Sequence, residues 1–192
     1  TGTAFHAVKR LNPTGLDTVA IFGQGPVGLS ATMFAAQLGA RVIAVDISPY
    51  RLSLAKELGA SEVIDSSSHN AEQVIRELTS GEGANCTLDA TGIPEVRIQA
   101  VDSARYWGKV CFVGEGNTTT FDVSAQIIHK QLTILGSWTF SQAGLSEVAN
   151  FVVQRQSPMD KLITHTFGLK EAQRAYDAFI SGETGKVILT MG

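Results

Sequence analysis

Thr18-Val19-Ala20-Ile21-Phe22-Gly23-Gln24-Gly25-Pro26-Val27-Gly28-Leu29-Ser30-Ala31 is the stretch on which the fold turns. A short β-branched and apolar run leads straight into Gly23-x-Gly25-x-x-Gly28, and a helix-forming run opens on its far side. Glycine supplies 19 of the 192 residues, so the spacing alone carries little weight. Its position between a strand and a helix makes it specific. In such a bend the first glycine lets the strand turn sharply, the second lets backbone approach a diphosphate, and the third lets the helix lie close to the strand. The helix start offers unsatisfied N–H groups and a positive dipole end to phosphates. Pro26 has no N–H, which leaves Val27 as the better backbone donor.

Outward from this bend the chain alternates β-branched runs with helical stretches, as a parallel sheet covered by helices requires. Strands are expected at Thr18–Phe22, Arg41–Val45, Glu62–Asp65, Thr87–Asp89, Lys109–Val113 and Leu132–Leu135. Val42-Ile43-Ala44-Val45 is apolar on consecutive residues, as a strand buried on both faces should be. Helices are expected at Val27–Leu38, Pro49–Leu58, Ala71–Thr79, Pro94–Ala104 and Ser124–His129. Ser48-Pro49 suits a helix start, and Gly39 and Gly59 sit where left-handed C-caps belong. The expected architecture is α/β, a doubly wound parallel sheet of six strands in the order 3-2-1-4-5-6 with helices on both faces. From Thr139 the alternation stops. A helix at Ala143–Val153, a break at Ser157-Pro158, an extended Leu162–Phe167, a helix at Glu171–Ile180 and a strand at Lys186–Thr190 form an α+β tail. The division is therefore a dinucleotide-binding domain over 1–138 and a tail over 139–192.

Asp46 closes the second strand, eighteen residues beyond Gly28 (28 to 46). A carboxylate there can accept hydrogen bonds from the adenosine ribose hydroxyls and would repel a 2′-phosphate, which favours NAD over NADP. It could instead cap the Pro49 helix, but Ser48 is better placed for that. Arg51 either lies against the adenosine end or is a solvated arginine. Asp89-Ala90-Thr91-Gly92 and Val113-Gly114-Glu115-Gly116 are strand-to-loop transitions at the edge where ligands bind in such sheets, so both should border the dinucleotide. His6, His69, His129 and His165 lie far apart with no cysteine or carboxylate at metal-ligand spacing, and no triad or Walker lysine is visible. No catalytic and no metal-ligating residue is assigned. Cys86 and Cys111 read as reduced core thiols of a cytoplasmic protein. The formal charge of −3 gives no reason to expect nucleic acid or an anionic membrane surface. No apolar run approaches the ~18–20 residues of a membrane span, and no signal-peptide pattern opens the sequence.

Three segments carry a resemblance: Gly-Thr-Ala-Phe-His-Ala-Val-Lys at 2–9, Val-Ala-Ile-Phe-Gly-Gln-Gly-Pro-Val-Gly-Leu at 19–29, and Val-Asp-Ile-Ser-Pro-Tyr-Arg-Leu-Ser-Leu-Ala-Lys-Glu-Leu-Gly-Ala at 45–60. With Gly-Lys-Val-Ile-Leu-Thr at 185–190, they resemble the zinc-dependent medium-chain dehydrogenases, which include alcohol, polyol and threonine dehydrogenases. The resemblance implies a Rossmann domain. It implies that Val113, Gly114 and Glu115 flank the nicotinamide carboxamide with Ser137 and Trp138, that Thr1 lies beside the nicotinamide ring, and that Lys186 stands near the pyrophosphate unless it is simply solvated. It also implies zinc, held in the family by a Cys, a His-Glu pair and a further Cys, Asp or Glu of a preceding catalytic domain. Those ligands are absent from these residues. Without that domain the apolar face of the tail, with Phe151, Leu162, Ile163 and Phe167, is expected to need another partner or to be partly disordered.

The expected function is NAD(H) binding for hydride transfer with a primary or secondary alcohol. The exposed edge of the sixth strand, Leu132–Leu135, invites pairing with a second copy, and the resemblance implies a homodimer or tetramer. Two alternatives stand beside it. A zinc-free quinone reductase of the same superfamily would usually use NADPH, which Asp46 disfavours. A non-catalytic NAD-sensing module would need no zinc ligands.

Overall fold

Six strands, β1 (Thr18–Phe22), β2 (Arg41–Asp46), β3 (Glu62–Asp65), β4 (Ala84–Asp89), β5 (Ala104–Phe112) and β6 (Thr133–Gly136), form one parallel sheet ordered β3-β2-β1-β4-β5-β6. The computed structural model describes residues 1–191. The order is the one the sequence pattern predicts. Register matters more than order for placing a ligand. Phe22 pairs with both Val45 and Asp89, Asp46 with Asp65, and Phe112 with Gly136. The carboxyl ends of all six strands therefore finish along one edge. The run Val42-Ile43-Ala44-Val45 is buried on every residue, as its unbroken apolar character requires.

Helices α2 (Pro26–Gln37), α3 (Pro49–Glu57), α4 (Ala71–Leu78) and α5 (Pro94–Ser103) cross between strands. Their ends follow the sequence signals. The Ser48 and Asn70 side chains accept the amides of Arg51 (3.4 Å) and Gln73 (3.0 Å). Gly39 and Gly59 take φ of 92° and 105° just past α2 and α3. Cys86 and Cys111 are free and buried in the sheet, and burial pushes both thiols up to about 11.

Beyond shifts of up to three residues at element ends, the structure departs from the expected elements in four places. Helix α1 (Gly2–Leu11) precedes β1 and buries Gly2, Ala4, Ala7, Val8 and Leu11; the expected elements include no helix there. Strand β5 begins at Ala104 rather than Lys109 and carries an irregularity where it meets β4 between Ala84 and Cys86. The helix expected at Ser124–His129 is a π-helical turn at Val123–Ile128. Past Ser157-Pro158 a short helix, α7 (Met159–Leu162), delays the extended segment, so β7 runs Ile163–Gly168.

The tail comprises α6 (Gln142–Arg155), α7, β7, α8 (Ala172–Ile180) and β8 (Lys186–Thr190), with β7 and β8 paired in a separate two-stranded parallel sheet. The expectation that its apolar face lacks a partner is corrected in part. Phe151 meets Phe5 and Phe34 in a three-ring cluster with centroids 5.1–5.6 Å apart. Val148 and Leu162 are buried in the same core as α2. Helix α1 supplies part of the missing surface through Phe5, and α2 supplies the rest through Phe34 and its contact with α7. Ile163 remains 42% exposed, and Phe167 is half-buried with the Arg174 guanidinium over its ring.

Deleting a fully buried Phe ring costs about 3–5 kcal/mol, and Phe151 is half-buried. Phe151→Ala is therefore expected to lower the urea unfolding free energy by about 2 kcal/mol. A loss under about 0.5 kcal/mol, the size of an ordinary surface change, would contradict the docking of α6 on α1 and α2.

Candidate dinucleotide-binding site

The bend between β1 and α2 is built on absent side chains. Gly23 has φ 85° and donates its amide to the Val45 carbonyl at 2.8 Å. A Cβ on Gly28 would stand 1.7 Å from the Gly23 carbonyl oxygen, so nothing larger than glycine fits at this approach of helix to strand. Gly25, the N-cap of α2, has nothing within 4 Å of where its Cβ would be. That position is open and borders a cavity. No side chain caps α2 and Pro26 holds its first turn, so the amides of Val27 and Gly28 have no capping side chain.

Asp46 faces this bend from the end of β2 and is only 7% exposed. Its Oδ2 accepts the Gln24 amide at 2.5 Å, and its Oδ1 accepts the Ser48 amide at 2.9 Å. A carboxylate offers about four lone-pair sites, so each oxygen keeps one for a ligand. Ser48, not Asp46, caps α3. A cavity of about 270 Å³ opens here, bounded by Gly23, Gly25, Asp46, Arg51, Thr91 and the apolar Ile47 and Ile93. Arg51 therefore borders the cavity, and its Nε also donates to the Thr184 carbonyl at 3.3 Å.

The loops after β4 and β5 meet beside the bend. Thr91 Cγ2 would lie 2.5 Å from a Cβ on Gly23, and the Gly92 amide nitrogen 2.1 Å from one on Gly114. Asp89, fully buried at the end of β4, accepts from the Thr91 amide (2.9 Å), the Thr91 hydroxyl (2.6 Å) and the Gly92 amide (3.1 Å). Arg97 on α5 approaches it with Nε at 3.6 Å. The same guanidinium donates to the carbonyls of Gly114 (2.8 Å), Gly116 (2.9 Å) and Asn117 (3.1 Å). One cation thus ties the Val113-Gly114-Glu115 loop to the buried carboxylate of the Thr91-Gly92 loop.

Ser137 follows β6, donates its amide to the Phe112 carbonyl at 2.9 Å, and is buried with an unpartnered hydroxyl. Trp138 beside it is 66% exposed. Lys186, at the start of β8, borders a second cavity of about 280 Å³ with Pro26, Tyr176 and Phe179. Thr1 stands at the N-cap of α1 and is exposed. Pro26 thus touches the Lys186 cavity, while Gly25 borders the Asp46 cavity. His69 bonds its own loop at Ser68 and Asp65, and His165 stacks on Phe167. Among the described residues no group of three or more His, Cys, Asp or Glu could hold a metal ion.

Sequence reasoning missed Arg97, Gln24, Ile47 and Ile93 here. The two isoleucines had a signal, since each follows a strand-end or loop residue already singled out, Asp46 or Gly92. Arg97 had none, because its partners come from two loops remote in sequence.

A family model described as zinc-binding dehydrogenase matches residues 26–154. The chain belongs to the zinc-binding dehydrogenase family. The uncharacterized zinc-type alcohol dehydrogenase-like protein YphC of Escherichia coli K12 is 38% identical over 98% of this chain and 54% of its own length. The L-threonine 3-dehydrogenase of Alteromonas mediterranea is 33% identical over 98% of this chain and 55% of its own. A solved alcohol dehydrogenase of E. coli CFT073, described as short chain and complexed with cofactor NADH, superposes with a TM-score of 0.89 at 26% identity. It covers 99% of this chain and 57% of that one. The chain spans about half the length of the curated relatives it matches. The zinc in the family's description has no ligand set among the described residues.

Removing one partner of a buried ion pair costs about 3–5 kcal/mol, and the Arg97 and Asp89 side chains are only 13% and 0% exposed. Arg97→Met is expected to lower the urea unfolding free energy by about 3 kcal/mol. A loss below about 1 kcal/mol would mean the guanidinium does not clamp these loops.

Proposed function

We propose that this chain binds NAD(H) across the carboxyl edge of its sheet, as the coenzyme-binding part of a dehydrogenase acting on a primary or secondary alcohol. The observation that carries the reading is the pairing of Asp46 with the Gly23–Gly28 bend around one cavity. The two lone-pair sites left on the carboxylate suit the adjacent 2′- and 3′-hydroxyls of the adenosine ribose. A 2′-phosphate would meet that nearly buried negative charge. Ile47 and Ile93, 69% and 47% exposed at the mouth of the cavity, offer apolar faces to an adenine ring, with Arg51 beside them. The pyrophosphate would lie at the amides of Val27 and Gly28, with the Lys186 ammonium as counter-charge next to Pro26. The nicotinamide carboxamide would then meet Val113, Gly114 and Glu115 with Ser137 and Trp138, and Thr1 would lie beside the ring.

When bound, NAD would supply the acceptor of a hydride from the alcohol carbon. The chain's own share is to grip the sugar and diphosphate, fix the ring's position, and hold the edge dry on its inner side. The NADH named for the solved relative and the alcohol dehydrogenase relatives support this reading. We assign the alcohol site and its zinc to a catalytic domain outside these residues. A homodimer through the exposed edge strand Thr133–Gly136 and a cytoplasmic setting for the two thiols accord with it.

Asp46→Ala tests the reading by NADH and NADPH fluorescence titration, with circular dichroism to check folding. Hydrogen bonds to a charged group are worth about 1.5–3 kcal/mol. The NADH dissociation constant is therefore expected to rise about 10- to 100-fold while that for NADPH falls, since the charge that would repel its 2′-phosphate is gone. Equal affinities of the unaltered chain for both coenzymes, or no effect of the substitution, would contradict the proposal.

A further inference from the structure

Gln24 occupies a variable position of the glycine motif, yet it is completely buried. A polar loop residue at the mouth of a ligand cavity would ordinarily face water. Here its amide turns inward between β1 and α2. Nε2 donates to the Ile21 carbonyl at 2.9 Å, and Oε1 accepts the hydroxyl of Thr32 at 2.9 Å. Thr32 is itself fully buried in the second turn of the helix. The backbone amide of Gln24 meanwhile donates to Asp46 Oδ2. The two ends of this one residue thus do different things. Its side chain is fastened to strand and helix at once, and its N–H holds one oxygen of the carboxylate proposed to take the ribose.

We infer that Gln24, fastened by Thr32, is a positioning residue that sets coenzyme preference by fixing the Asp46 carboxylate through its own backbone amide. This rests on the proposed NAD(H) reading. Backbone contacts hold the rest of the bend, with the Gly23 amide on the Val45 carbonyl and the Leu29 amide on the Gly25 carbonyl; Gly23 and Gly25 have no side chains and α2 has no side-chain cap, so Gln24 supplies the side-chain hydrogen bonds there. With the Gln24 side chain released, the peptide that carries its amide is held only by the contact of the Gly23 carbonyl with Gly28 and by Asp46 itself, so the amide can tilt away from Oδ2 and the carboxylate loses the orientation that directs its free lone pairs at two neighbouring hydroxyls. A ribose that carries a 2′-phosphate keeps only its 3′-hydroxyl for those lone pairs, and its phosphate is repelled by the carboxylate, so it gains little from their orientation. Loosening the bend should therefore weaken NADH and leave NADPH nearly unaffected.

The test uses the full chain with Gln24→Met, which keeps length and volume and removes both hydrogen bonds, and with Thr32→Val, which removes one bond from the helix side without enlarging the space. Thr32→Val also guards against failure of the first variant to fold. Affinities for NADH and NADPH are measured for the unaltered chain, each variant, Asp46→Ala, and the Gln24→Met/Asp46→Ala double variant. Loss of a hydrogen-bonded constraint of this kind should weaken NADH about three- to tenfold in Gln24→Met, less in Thr32→Val, with NADPH changed under about twofold. In the Asp46→Ala background Gln24→Met should change the NADH-to-NADPH ratio no further. Variants that lose NADH and NADPH affinity in equal proportion, or keep the ratio of the unaltered chain, would overturn the inference, since a merely structural glutamine would do that. Failure of the unaltered chain to bind NADH would instead overturn the underlying reading.

Discussion

The approach of α2 to β1 at Gly28 and the Gly23 carbonyl is the constraint on which the rest depends. No Cβ can be inserted there without backbone moving. Because helix and strand touch so closely, the first amides of α2 point out over the sheet edge rather than into another element. Because β1 is central in the sheet, with β2 on one side and β4 on the other, that edge is flanked by the ends of both neighbours. The closeness of one contact thus decides where a phosphate could sit and which side chains surround it.

Three strands of this edge end in aspartate, and all three use it alike. Asp46, Asp65 and Asp89 each accept the amide two residues onward, from Ser48, Ser67 and Thr91, each at 2.9 Å. Each turn redirects the chain immediately as it leaves the sheet. The outcomes differ with burial. Asp65 is half-buried, and the Ser67 hydrogen bonds keep its carboxyl below the usual range. Asp89 is sealed and spends its capacity on its own loop and on Arg97. Asp46 alone is held from the glycine bend after β1, by Gln24, while facing an open cavity. The same residue at the same kind of position is a turn former in one loop, an anchor in the second and a proposed ribose ligand in the third.

The parts legible in the sequence were those decided locally. Val42-Ile43-Ala44-Val45 could only be a strand covered on both sides, and the glycine bend could only join β1 to a helix lying close to it. Helix α1 was also readable in principle, since its buried Ala4, Ala7, Val8 and Leu11 recur at helical spacing; with it unrecognised, Phe5 was not available as a partner for Phe151. The Arg97 clamp and the burial of Gln24 lay beyond pattern reading. Composition would put both in water, and only the approach of distant segments supplies the carbonyls, the carboxylate and the hydroxyl that satisfy them.

Amide hydrogen exchange of the chain with and without NADH tests the central claim most directly. The account predicts strong new protection at Val27 and Gly28, at the uncapped start of α2, and at Ser48 beside Asp46, with the strands of the sheet unchanged. Saturating NADH that leaves the exchange of these amides unaltered would contradict it.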